Sequence, residues 1–79
     1  MSEGPKKLLS LLLVIGAQSP DKAINLGELA LKLGTDKKSA EAEVRQLAQS
    51  GYVAKAGALG NEAFYLTGTG VIAASSTYS

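Results

Sequence analysis

Residues 8–17, LLSLLLVIGA, form the densest apolar stretch of this chain and limit what it can fold into. A chain of 79 residues buries only about 60–65% of the surface that its unfolded form exposes, so it has little core to spare. Cysteine and histidine are both absent, which excludes disulfide bridges, thiolate and imidazole metal sites, and a cysteine nucleophile. The core has to come from apolar side chains, and this stretch is the first candidate.

Two interpretations of this stretch are open. Lys6 and Lys7 followed by an apolar run and small residues are typical of a secretory signal peptide. Glu3 in the basic start, and Ile15 three places before a cut after Ala17, both depart from that pattern. The other interpretation is a retained first helix with a wide apolar arc, and we favour it. The run is too short to cross a bilayer, so no membrane is expected.

The middle of the chain has the signals of two helices joined by a tight turn. Asn25 with Glu28 three residues later is a variant of the capping box and predicts a helix start, and Gly34 predicts its end. Asp36 then precedes a helix over residues 37–50, in which apolar residues recur at helical spacing. This third helix therefore has one buried stripe and one solvent-facing side.

The last third of the chain changes from helical to strand-like spacing. Residues 52–56 and 62–66 contain aromatic and β-branched residues around a glycine-rich link, which predicts a β-hairpin. Thr67 is expected to cap a short C-terminal helix. The predicted fold is α+β: a three-helix core, then a two-stranded hairpin and the short helix. It occupies residues 5–74, between flexible tails at 1–4 and 75–79.

This order of elements is that of a winged helix-turn-helix domain, in which the hairpin is the wing. Residues 29–53, LALKLGTDKKSAEAEVRQLAQSGYV, resemble the helix 2, turn and recognition-helix pattern of that family. Residues 64–70, FYLTGTG, are similar to the aromatic-x-Leu-Thr-x-x-Gly ending of its prokaryotic and archaeal transcription regulators. The resemblance covers residues 6–74. It implies a cytoplasmic protein that binds double-stranded DNA, with no cofactor and no metal.

The side of helix 3 opposite its buried stripe carries no acidic residue. Arginine and glutamine side chains read guanine and adenine edges in the major groove, and a small residue permits close approach. Lysines at the helix start position a protein on phosphates. The other interpretation is an ordinary solvated helix face, on which Glu41 pairs with Arg45 four residues later. The predicted DNA contacts are Lys37, Lys38, Ser39, Ala42, Arg45, Gln46 and Gln49 on helix 3, and Lys55, Asn61 and Tyr65 on the wing.

Two functions from different classes fit this pattern. The first is a transcription regulator that reads duplex DNA with helix 3 as a homodimer. The second is a winged-helix protein–protein interaction module within a larger complex, suggested by the net charge of only +1 and by the apolar wing residue Leu59. An enzyme is not expected, because the acidic residues are better explained as turn, cap and surface residues than as a catalytic pair. The predicted dimer contacts are Leu8, Leu12, Ile15, Val71 and Ile72.

Overall fold

A computed structural model describes residues 3–57 and 62–76, which form four α-helices and a three-stranded antiparallel sheet. The class is α+β. Helices α1 and α4 extend into the predicted tails at 1–4 and 75–79. The predicted wing residues Leu59 and Asn61 lie outside the described residues. The elements are α1 (Glu3–Val14), a 3₁₀ helix (Pro20–Lys22), β1 (Ile24–Asn25), α2 (Leu26–Leu33), α3 (Lys37–Gln49), β2 (Val53–Ala56), β3 (Ala63–Leu66) and α4 (Gly68–Ser76).

The predicted order of elements is wrong between the first two helices. The winged helix-turn-helix prediction runs from three helices directly into a two-stranded hairpin, whereas the chain forms an additional strand, β1, between α1 and α2. Ile24 of β1 lies opposite Phe64 of β3, and the strand order is β1-β3-β2. A strand of two residues has no periodicity to detect, and its partner lies 40 positions later, from 24 to 64. Residues 18–25 therefore look like a turn followed by a helix cap.

Helix α1 ends at Val14, so the last three residues of the apolar stretch 8–17 lie outside the helix. Gly16 takes a φ of 77°, in the left-handed region that favours glycine, and turns the chain out of the helix. The Ala17 carbonyl then accepts a hydrogen bond of 2.7 Å from the Leu66 N–H. The end of α1 is thus tied to the end of β3 instead of continuing the helix.

Helix α1 contributes large side chains to the core. Three of the six largest fully buried side chains belong to this helix, and none of the three has any exposed surface. Leu8 and Leu12, predicted as dimer contacts, are therefore already covered within the single chain. The wide apolar arc of α1 is explained by its packing against α2, α3, β3 and α4. The six side chains are those of Leu8, Leu9, Leu12, Leu29, Leu47 and Leu66.

Thr67 joins the end of α3 to the start of α4. Its hydroxyl donates to the Gly51 carbonyl at 2.6 Å and accepts from the Gly70 N–H at 3.0 Å, which confirms the predicted cap. The Thr67 N–H donates to the Tyr52 carbonyl at 3.0 Å. This junction fixes the hairpin and α4 relative to the C-terminal end of α3. None of the helices in residues 3–57 and 62–76 is long and apolar enough to cross a membrane.

Candidate nucleic-acid interface

The connection between α2 and α3 consists of residues 34–36 alone. Gly34 adopts a φ of 71°, and its N–H lies 3.2 Å from the Leu31 carbonyl oxygen. The Thr35 N–H donates to the Ala30 carbonyl at 3.1 Å. These bonds satisfy the last carbonyl groups of α2 in the way that a left-handed glycine cap does. The sharp turn brings α3 back against α2 and fixes which of its faces points to solvent.

The solvent-facing side of α3 carries basic, polar and small side chains. Ala40, Val44 and Leu47 form the buried stripe, and every residue predicted to touch DNA on this helix is exposed. The side chains of Lys38 and Gln46 form no hydrogen bond or ion pair with the part of the chain that the structure describes. They are available to an external ligand. The exposed residues are Lys37, Lys38, Ser39, Ala42, Arg45, Gln46 and Gln49.

A negative charge lies at the N-terminus of α3, beside its lysines. Asp36 is the residue before the first helical turn, and the nearby Ser39 side chain is the main cause that lowers the pKa of its carboxyl group from the usual value. Desolvation opposes this shift, while backbone N–H groups and the Thr35 hydroxyl add to it. The carboxylate stays ionised at neutral pH, where it favours the helix start. It also offsets part of the positive charge of Lys37 and Lys38.

A groove of about 990 Å³ lies between α3, the start of α2 and the strands β2 and β3. Its α3 side carries Lys37, Glu41 and Arg45, which follow one another at spacings of four residues and so share one side of the helix. Its sheet side carries Lys55 and Glu62. Three of the predicted DNA contacts thus face one groove together with two carboxylates.

Two ion pairs form within this groove. Arg45 Nη2 lies 3.1 Å from Glu41 Oε1, as the spacing predicts, and Lys55 Nζ lies 3.5 Å from Glu62 Oε2. All four side chains are substantially exposed to solvent. The sequence does not predict the ion pair of Glu62 with Lys55. The approach of these two side chains depends on the register of the hairpin, which the glycine-rich link does not reveal.

The residues of the hairpin that are predicted to touch DNA do not lie together. Lys55 lies opposite Phe64 in the β2–β3 register and lines the groove. Tyr65 alternates with Phe64 along β3, so its side chain points to the other face of the sheet, and it is not part of the groove lining. Asn61 lies outside the described residues. Lys55 alone therefore extends the α3 surface onto the sheet.

The predicted dimer contacts outside the core lie on or beside the packed helices α1 and α4. Ile72 of α4 is 70% exposed and Ile15, just after α1, is 39% exposed. Val71 is half-buried and packs against the core. The exposed part of the predicted dimer surface thus consists mainly of Ile15 and Ile72.

No protein-family model matches this chain, and no curated protein matches it. A proposal for the function therefore rests on the arrangement of the side chains. Cations, amides and a small residue on one exposed helix face are the groups that bind a polyanion and contact base edges.

Proposed function

We propose that this protein binds duplex DNA by inserting α3 into the major groove, and that it acts as a transcription regulator. The observation that carries this proposal is the composition of the solvent-facing side of α3. Lys38, Arg45 and Gln46 are exposed there around the small residue Ala42, and the acidic residues of the helix lie on its flanks.

The proposed roles follow from the chemistry of each side chain. Arg45 and Gln46 have the forked donors and the amide that hydrogen-bond guanine and adenine, and a good bidentate contact discriminates bases by about 1–3 kcal/mol. We propose that Lys37 and Lys38 at the start of α3, and Lys55 on the opposite side of the groove between α3 and the sheet, contact phosphates. A regulator of this kind in a prokaryotic or archaeal cell works in the cytoplasm, and we propose that it does so as a homodimer.

The near-neutral charge of the chain is compatible with this proposal, because the position of the charges matters more than their sum. The net charge is +1, but four cations lie on α3 and at the groove, where they would meet the same duplex. Each phosphate that a cation neutralises changes the slope of log affinity against log salt by about −0.9, so the three proposed phosphate contacts of Lys37, Lys38 and Lys55 predict a slope of about −2.7 per protomer. The four cations are Lys37, Lys38, Arg45 and Lys55.

The test is fluorescence anisotropy of a labelled mixed-sequence duplex, titrated with the protein between about 50 and 200 mM salt, the range over which phosphate contacts dominate affinity. We expect binding with a slope near −2.7, and we expect Lys38→Ala to make the slope shallower by about 0.9. Lys7→Ala is the matched control, because it removes the same charge from an exposed position on α1. Its slope should equal that of the unmodified protein.

Two results would contradict the proposal. One is the absence of binding even at the lowest salt. The other is binding that Lys38→Ala and Lys7→Ala weaken equally, which would mean that the duplex meets the overall charge of the protein and not α3. Either result would favour the protein-interaction module as the function of this domain.

A further inference from the structure

Two ion pairs in the groove between α3 and the sheet hold cations that the proposed function needs for contacts with DNA. Arg45 is bound to Glu41 within α3, and Lys55 is bound to Glu62 across the hairpin. Both pairs line the same groove, whereas Lys37, at its α3 side, forms no ion pair with the described part of the chain. Two of the four candidate phosphate or base contacts are thus already occupied in the free protein.

These pairs are weak enough to open. The side chains of Arg45 and Glu41 are 70% and 55% exposed, and those of Lys55 and Glu62 are 59% and 37% exposed. Ion pairs between exposed groups are weakened by water and salt, and opening one costs about two- to five-fold in an equilibrium constant. A DNA phosphate attracts the same cations, and the charges of the other phosphates in the duplex add to this attraction.

We infer that the two carboxylates compete with DNA for Arg45 and Lys55, and that they thereby lower the affinity of the protein for DNA. This inference rests on the proposed function. On binding, each cation leaves its carboxylate and contacts the duplex, so the number of phosphate contacts is the same with or without the carboxylate. Removing a carboxylate therefore raises the affinity but leaves the salt slope unchanged.

The first variant is Glu62→Gln, measured by anisotropy on the same mixed-sequence duplex. We expect its Kd to fall by about two- to five-fold at about 50 mM salt, with an unchanged salt slope, because Lys55 no longer has to break an ion pair. Glu41→Gln should have an effect of the same size through Arg45. Both substitutions are at exposed or half-buried surface positions, and equal thermal unfolding midpoints will show that the fold is preserved.

Glu43→Gln is the matched control for a general effect of negative charge. Glu43 lies on α3 only two residues from Glu41, but on the opposite flank beside Gly4, and it does not line the groove. A carboxylate that merely repels DNA from a distance would give a similar gain at both positions. Competition for Arg45 predicts a higher affinity for Glu41→Gln but not for Glu43→Gln.

A double-mutant cycle decides between release of the lysine and repulsion. In a Lys55→Ala background the cation is absent, so Glu62→Gln should no longer raise the affinity. A gain of the same size in both backgrounds would overturn the inference, and so would the absence of any gain in the single variant. If the unmodified protein does not bind the duplex at all, the proposed function fails and this inference fails with it. Binding without a specific gain overturns the inference alone.

Discussion

Gly70 of helix α4 lies directly against the backbone of Tyr52, in the segment between α3 and β2. A Cβ atom added at this position would overlap the Tyr52 carbonyl oxygen and lie 2.8 Å from the carbonyl carbon. The same carbonyl accepts the Thr67 N–H, and the Thr67 hydroxyl caps α4 through the Gly70 N–H. The close approach and the hydrogen bonds belong to one junction. A larger side chain at Gly70 would therefore have to displace backbone atoms, since no flexible side chain can move aside in their place.

We predict that Gly70→Ala destabilises the protein despite the higher helix propensity of alanine. Overpacking costs about 1–3 kcal/mol, and the upper part of this range applies because the obstacle is backbone. That cost exceeds the gain of at most about 1 kcal/mol from replacing a helical glycine. The measurement is the free energy of unfolding in urea. Gly68→Ala is the control, since nothing lies within 4 Å of its Cβ, and it should be neutral or slightly stabilising.

At the scale of elements, local sequence signals predict the helices and the hairpin. They do not predict strand β1, because β1 depends on pairing with a distant strand. The caps at Asn25 and Gly34 are set by residues three or four positions away, and the structure confirms both, with a 2.8 Å bond from the Glu28 N–H to the Asn25 side chain. Strand β1 escapes detection because its extended conformation depends on β3, which follows 40 positions later at Phe64. A pattern within one window of sequence contains no information about that pairing.

Helix α1 contributes three of the six largest fully buried side chains, so its packing is important for stability. We predict that Leu12→Ala lowers the free energy of unfolding by about 2–5 kcal/mol, because Leu12 is fully buried among side chains of other elements. Leu31→Ala is the control, since Leu31 on α2 is 78% exposed, and it should change stability by less than about 0.5 kcal/mol. Urea denaturation of both variants tests this. Equal losses would mean that α1 does not form the core described above.

For the whole molecule, the candidate interface could be predicted only in part. The exposed side of α3 follows from helical periodicity, which assigns residues such as Lys38 and Gln46 to solvent without any tertiary information. The separation of Lys55 from Tyr65 follows from strand register. The wide apolar arc of α1 predicts an additional interface, but α2, α3, β3 and α4 pack against this helix within the chain, and Leu8 is fully buried. Composition does not reveal which element covers a face.

The homodimer stays a prediction, and it would have to use individual exposed aliphatic side chains. Ile72 on α4 and Ile15 after α1 are exposed large aliphatic residues on neighbouring elements, and a contact between two copies through them would bury apolar surface. We predict a dimeric mass by sedimentation equilibrium at about 0.1 mM, a concentration at which a dimer with a micromolar Kd is largely assembled. Ile72→Asp should give a monomer, because a charge would be buried at the interface. Leu31→Asp places the same charge at an equally exposed position on α2 and should leave the dimer intact. A monomeric unmodified protein at this concentration would limit each molecule to a single α3, and the DNA proposal would then predict one half-site instead of two.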